Sequence, residues 1–306
     1  APVIEEAVRQ VATKTEVFGK MTGTVPYEGE LTPATVAAAM QDAGIPPTVA
    51  YPAAAPVQGV PPRPPILCAG CMHRSTFYAM KKVFRDGIFP SDIGCYTLGL
   101  QLGAVDTTIC MGASITVGSG IARSGEKRPV VCTIGDSTFL HTGIPGLLNA
   151  VYNGAEMVVV ILDNRITAMT GHQPNPNTGV TATGVESVPV SLEALCRSCG
   201  VAWVETVDPY NLPHLLDTFR RAKERTGVRV IIAKQPCVIT ARRSGIRRKP
   251  YAVDLERCTG CGVCRSFGCP AIAFSGKNAT ITDLCAGCGV CADICPSGAI
   301  AREGRQ

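Results

Sequence analysis

The sequence predicts an α/β protein: a parallel sheet covered by helices on both faces, followed by a small cysteine-rich α+β module. Two observations predict it. Short β-branched runs alternate with helical stretches between about residues 66 and 240, and two similar cysteine runs fall within residues 251–306. Strands are expected at 129–134 ("PVVCTI"), 157–162 ("MVVVIL"), 201–206 ("VAWVET") and 228–233 ("VRVIIA"), with helices near 143–153, 191–199 and 211–225. Runs apolar on both faces belong inside a sheet with helices above and below, and their alternation with helices argues for parallel crossovers.

Residues 1–65 read as an arm rather than a domain. "ELTPATVAAAM" predicts one short helix with Thr32 as N-cap and Pro33 at the first helical position. The following "IPPTVAYPAAAPVQGVPPRPP" carries eight prolines and is expected to run extended over a neighbouring surface. The sheet domain takes residues 66–240, a basic linker 241–250, and the cysteine-rich module 251–306.

Composition narrows the function. At 306 residues the chain can bury a full core and carry a second small domain. The longest plain apolar run, Met157 to Leu162, is far too short to span a bilayer. No charged-then-apolar leader opens the sequence, so a cytoplasmic location is expected. The chain opens on Ala1 rather than methionine, which fits a processed product or a piece of a longer polypeptide. Its 16 cysteines sit largely in C-x-x-C runs, which favours metal ligation in a reducing compartment over disulfides. The net charge is +5, and the densest basic run is Arg242, Arg243, Arg247, Arg248 and Lys249. It reads as a solvated linker or as a docking surface for an acidic partner. Without interleaved aromatics it does not fit nucleic acid.

The module contains two copies of one pattern, "CTGCGVCRSFGCP" and "CAGCGVCADICP". In the bacterial iron–sulfur run, three close thiolates hold one cubane and the fourth crosses to the other. One [4Fe–4S] cluster would take Cys258, Cys261, Cys264 and Cys295, and the second Cys285, Cys288, Cys291 and Cys269. The first copy departs from the usual spacing, with Arg265 to Gly268 before its last cysteine. Zinc is the plainer alternative, but the doubled pattern is far more specific to clusters. Paired one-electron centres imply electron transfer.

In the sheet domain, "IGDSTFLHTGIPGLLNAVYNGAEMVVVILDNRIT" places Gly135-Asp136-Ser137 after one strand and Asp163-Asn164 after the next. Ligands of open α/β sheets bind at the carboxyl ends of strands, where these residues would converge. A carboxylate, an amide oxygen and a backbone carbonyl suit a small hard cation that bridges phosphates.

These residues resemble the signature of thiamine diphosphate enzymes: a Gly-Asp-Gly opening and a terminal Asn about thirty positions on, here from Gly135 to Asn164. Ser137 stands where that signature usually has its second glycine. The resemblance implies Mg²⁺ held by the Asp136 and Asn164 side chains and the Ile166 carbonyl, with Gly135 and Ser137 at the diphosphate. The blocks "CAGCMHR", "DIGCYTLG", "CMGASI", "GDSTFLHTGIPGLLNAVYN" and "LDNRITAMTGHQPNP", in order and closed by the double-cluster module, resemble the C-terminal catalytic half of the large subunit of indolepyruvate:ferredoxin oxidoreductase, within the 2-oxoacid:ferredoxin oxidoreductases.

That family's activity is oxidative decarboxylation of a 2-oxoacid to an acyl-CoA, with electrons passed through clusters to ferredoxin. The resemblance puts Gly112, Ala113 and Ser114 beside the cofactor. It puts the Thr170–Gln173 loop, with Thr170, Gly171 and the acid–base candidate His172, at the substrate's edge. His141 is expected near the diphosphate helix. The pyrimidine-clasping domain, its activating glutamate and a gamma-type domain would come from other chain. The resemblance also implies a third, proximal cluster on Cys68, Cys71, Cys95 and Cys237. Cys196 and Cys199 lie at i, i+3 on an amphipathic helix and read as packing; Cys132 reads as core, and Cys110 is left open. The alternatives are the same chemistry on pyruvate, 2-oxoglutarate or a branched-chain acid, or a non-catalytic electron-transfer subunit.

Overall fold

The computed structural model describes residues 2–49, 51 and 58–304. The chain divides into two compact units, Ala1–Arg63 and Pro64–Gln306. The first carries helices α1 (Val3–Val11) and α2 (Pro33–Asp42). Thr32 caps α2, its Oγ1 accepting from the Thr35 N–H at 3.2 Å, with proline in the first turn. Helix α1 is not anticipated from the sequence: it buries none of its residues, and its Glu5 pairs with Arg9 and accepts from the Met21 N–H. The middle of the proline-rich run, 52–57, lies outside the described residues.

The second unit is built on four parallel strands, β1 (Val130–Gly135), β2 (Met157–Asp163), β3 (Trp203–Val207) and β4 (Val228–Lys234), in the order β1-β2-β4-β3. Strands β1 and β2 are buried at every position, which is why they read as unbroken apolar runs. Side chains alternate between two cores. Val158, Val160 and Leu162 pack with Phe77, Met80, Leu215 and Phe219 on one face, and Met157, Val159 and Ile161 with Ile115, Leu147, Leu192 and Cys196 on the other.

The first face is covered by α3 (Met72–Val83) and α8 (Leu212–Lys223), the second by α4 (Ala113–Arg123), α6 (Ile144–Tyr152) and α7 (Leu192–Ser198). Between β1 and α6 lie a short α5 (Asp136–Thr138) and a π-helical turn, Phe139–Gly143. After β4 comes α9 (Val238–Arg243), so the basic stretch begins as helix.

The cysteine-rich segment is not a separate body. It consists of β5 (Tyr251–Val253) paired antiparallel with β8 (Ile300–Arg302), a hairpin of β6 (Ile272–Ser275) and β7 (Asn278–Ile281), and helices α10 (Val263–Phe267) and α11 (Val290–Ile294). Phe267, Val290 and Ile294 join the core beneath α3 and α8, with Phe267 edge-on to Tyr78 at 5.8 Å between ring centroids. Among the described residues, no helix is long and apolar enough to cross a membrane.

Candidate active site

The carboxyl ends of β1 and β2 bring the predicted cation ligands together. Asp136 opens α5 directly after β1, and Asn164 follows β2; both are buried. Asp136 Oδ2 accepts from Asn175 Nδ2 at 2.9 Å and Asn177 Nδ2 at 3.3 Å, and Asn177 Nδ2 also reaches Asp163 Oδ1 at 3.0 Å. Burial pushes the Asp136 carboxyl well above the usual carboxylate range; the Asn175 amide opposes that rise and the neighbouring Asp163 carboxylate adds to it. Two adjoining buried acids, plus an Asn177 Oδ1 with no partner, form a donor set that a divalent cation would satisfy. Asn175 and Asn177 escape the sequence reading because "QPNPN" reads as an ordinary turn-rich loop.

Arg165 takes the left-handed conformation (φ 60°), and the Ile166 N–H returns to Asn164 Oδ1 at 3.2 Å. The chain therefore reverses sharply at Asn164–Ile166, where the resemblance places magnesium. Gly135, Asp136, Ser137, Asn164, Ile166 and Thr170 all line one cavity of about 90 Å³. Ser137 Oγ accepts from Thr167 Oγ1 at 2.8 Å, which ties the two strand-end loops together. The residues fit a magnesium–diphosphate group.

Gly112, Ala113 and Ser114 do not line this cavity, although Met111 does. The Gly112 N–H and Ser114 Oγ donate to the buried Asp92 carboxylate at 3.0 and 3.1 Å, and the Tyr96 hydroxyl donates to its other oxygen. Gly112 has φ 87°, and a Cβ there would meet Thr142 Oγ1 at 2.1 Å, so only glycine fits. Gly171 lines neither cavity, and His141 is exposed on the π-turn.

Cys68, Cys71, Cys95 and Cys237 line a second cavity, of about 220 Å³. They come from the turn before α3, the first residue of a 3₁₀ helix (Cys95–Leu102), and the N-cap of α9. His172 lies here rather than on the Asp136 cavity, with φ 63° and a buried Nε2 that has no partner. Burial pushes the Cys71 thiol up to about 12, and Cys68 and Cys95 add to the shift. Such thiolates need a cationic core beside them.

The two cavities share His73, Cys95, Asn164, Ala168 and Met169, and the Cys237 N–H donates to the Asn164 carbonyl at 2.9 Å. Burial lowers His73 to about 4, so its imidazole is neutral at neutral pH.

In the cysteine-rich segment, Cys258, Cys261, Cys264 and Cys295 line one small pocket. Cys269, Cys285, Cys288 and Cys291 form a second group of neighbours, and burial pushes the Cys288 and Cys291 thiols up. All 16 cysteines are free. Cys196 and Cys199 are buried in the sheet's second core and Cys132 inside β1, as packing residues. The loop Cys68-Ala69-Gly70-Cys71 repeats the sequence of Cys285-Ala286-Gly287-Cys288, and the two press together: a Cβ on Gly70 would lie 2.5 Å from that of Ala286.

Comparison with known proteins defines the class first. Residues 92–233 match the thiamine pyrophosphate enzyme C-terminal binding domain, and residues 280–301 a 4Fe-4S binding domain. The fold is that of a 2-oxoglutarate:ferredoxin oxidoreductase from Magnetococcus marinus (TM-score 0.52, 19% identity, 57% of this chain and 65% of that one).

Within that class, the chain is 46% identical to the indolepyruvate oxidoreductase subunit IorA of Archaeoglobus fulgidus over 98% of its length, and 40% identical to that of Methanothermobacter marburgensis over 99%. Over nearly its whole length it is similar to these subunits, and it spans about half of theirs (50% and 51%). A 2-oxoacid:ferredoxin oxidoreductase subunit beta of Saccharolobus solfataricus is 23% identical over 56% of the chain and 61% of its own length.

Proposed function

We propose that this chain is the cofactor- and cluster-bearing part of a thiamine-diphosphate-dependent 2-oxoacid:ferredoxin oxidoreductase. Its substrate class is an aryl 2-oxoacid of the indolepyruvate type, and its products are an acyl-CoA, CO₂ and two electrons delivered to ferredoxin. The observation that carries the reading is the wall of five residues common to the Asp136 cavity and the ring of Cys68, Cys71, Cys95 and Cys237. A site that oxidises its substrate one electron at a time needs an acceptor at that wall.

Thiamine diphosphate, when bound with Mg²⁺, supplies the electron sink that lets the 2-oxoacid lose CO₂. The Asp136 and Asn164 side chains and the Ile166 carbonyl would hold Mg²⁺, while Gly135 and Ser137 would meet the diphosphate. The Thr170–Gln173 loop borders the substrate, with His172 held close to the cysteine ring. Three [4Fe–4S] clusters would be held by the Cys68, Cys258 and Cys285 sets described above. Neutral His73 and the apolar Leu98, Met169 and Val238 line the cysteine cavity. The pyrimidine-clasping and gamma-type domains come from chain beyond this one, and the free thiols suit a reducing cytoplasm.

The test is ferredoxin reduction by the full complex against a panel of 2-oxoacids with coenzyme A. Aryl 2-oxoacids are expected to lead pyruvate and 2-oxoglutarate by about 100-fold or more in kcat/KM; equal rates would sink the substrate assignment. Asp136→Ala is expected to weaken thiamine diphosphate retention at least about 100-fold with iron content unchanged. About twelve irons per chain are expected for three four-iron clusters, and about eight would remove the Cys68 set.

A further inference from the structure

Arg74 is the second of four consecutive polar or charged residues, His73 to Thr76, buried in α3, and is 2% exposed. One guanidinium nitrogen, Nη1, donates to the Gly268 carbonyl at 2.5 Å, and Nη2 donates to the Leu67 carbonyl at 2.6 Å. Gly268 immediately precedes Cys269, and Leu67 immediately precedes Cys68. The two prongs therefore rest on the peptides that lead into two different cysteine sets, 194 residues apart in one case and seven in the other. Nε is buried without a partner, and among the described residues no carboxylate pairs with this side chain.

A lone buried cation is costly unless an anion compensates it. A cubane held by four thiolates is a net anion, and it gains one further negative charge on reduction. The thiols that act on the Arg74 charge are Cys269, Cys71, Cys68 and Cys288, two from each set. The touching Gly70 and Ala286 loops keep the sets close.

We propose that Arg74 is the shared counter-ion of two iron–sulfur clusters, the one on Cys68, Cys71, Cys95 and Cys237 and the one on Cys269, Cys285, Cys288 and Cys291, and that it raises the reduction potential of both. This rests on the cluster assignment made above. In the step it serves, the reduced Cys68-set cluster loses one electron and the oxidised Cys269-set cluster gains it. No bond forms or breaks and no proton moves. Because Arg74 lies between donor and acceptor, its charge favours the electron on either side and holds the two potentials together. It is a positioning residue, since it meets peptides rather than irons. No thiol of the Cys258 set is among the leading charges that act on Arg74.

The experiment is an EPR-monitored redox titration of the iron-loaded full complex, wild type against Arg74→Gln, Arg74→Met and Arg74→Lys. Both neutral variants are expected to lower the reduced-to-oxidised ratio of the two flanking clusters about tenfold at a fixed ambient potential, about 59 mV for a one-electron couple. The Cys258-set couple should stay within about twofold. Arg74→Met removes the charge without burying an unpaired amide, so it supplies the reading if Arg74→Gln does not load iron. Arg74→Lys keeps the charge and is expected to hold both flanking couples nearer wild type. Neutral variants with unmoved potentials, or with all three couples moved equally, overturn the proposal. A wild type with about eight irons overturns the cluster assignment itself, while about twelve irons with unmoved potentials overturns the role of Arg74 alone.

Discussion

The two Cys-Ala-Gly-Cys loops are identical in sequence and unlike in what surrounds them. The one at 285–288 sits in a compact repeat whose neighbouring cysteines all lie between Cys269 and Cys291. The one at 68–71 shares its cavity with Cys95 from a 3₁₀ helix and Cys237 from the start of α9, beyond the whole sheet. The first loop's cysteines line a cavity that shares Cys95 and Asn164 with that of Asp136, whereas the second lies within the outer module. In the proposed function the same four residues would serve opposite ends of one electron path, and the scaffold decides which.

That contrast can be broken by mutation. Cys71→Ser is expected to remove about four irons per chain and to cut oxoacid-driven reduction of any acceptor at least about 100-fold. Thiamine diphosphate should stay bound. Iron analysis beside dye and ferredoxin assays checks this, and retained dye reduction would contradict it. Cys264→Ser should cost the same iron but spare a small dye, slowing ferredoxin reduction about tenfold. Gly70→Ala forces a Cβ into Ala286 at a left-handed position (φ 74°) and should destabilise the chain by about 1–3 kcal/mol in urea. The least effect belongs to Cys196→Ala, about 1 kcal/mol of packing with no iron lost; any fall in iron would make that pair a ligand site.

How much of this was legible in the sequence depends on how local each signal is. Strands β1, β2 and β4 read plainly because burial on both faces leaves no polar position to interrupt them. The two C-terminal groups of cysteines read plainly because spacing alone reveals which lie together. Helix α3 did not, since its buried face carries His73, Arg74, Ser75 and Thr76, and no apolar period marks it. Helix α4 was hidden by two glycines, Gly118 and Gly120, in a stretch of small residues. Asn175 and Asn177 gained meaning only once the fold put them on Asp136. The site residues least visible in sequence are those whose partners the sheet delivers from elsewhere.

The contact of Gly70 with Ala286 also bears on how the protein matures. A chain is synthesised from its N-terminus, so Cys68, Cys71 and Cys95 leave the ribosome long before Cys237, and longer still before the loop at 285–288 on which Gly70 packs. The turn at 68–71 therefore acquires its final neighbours only when nearly the whole chain has been made.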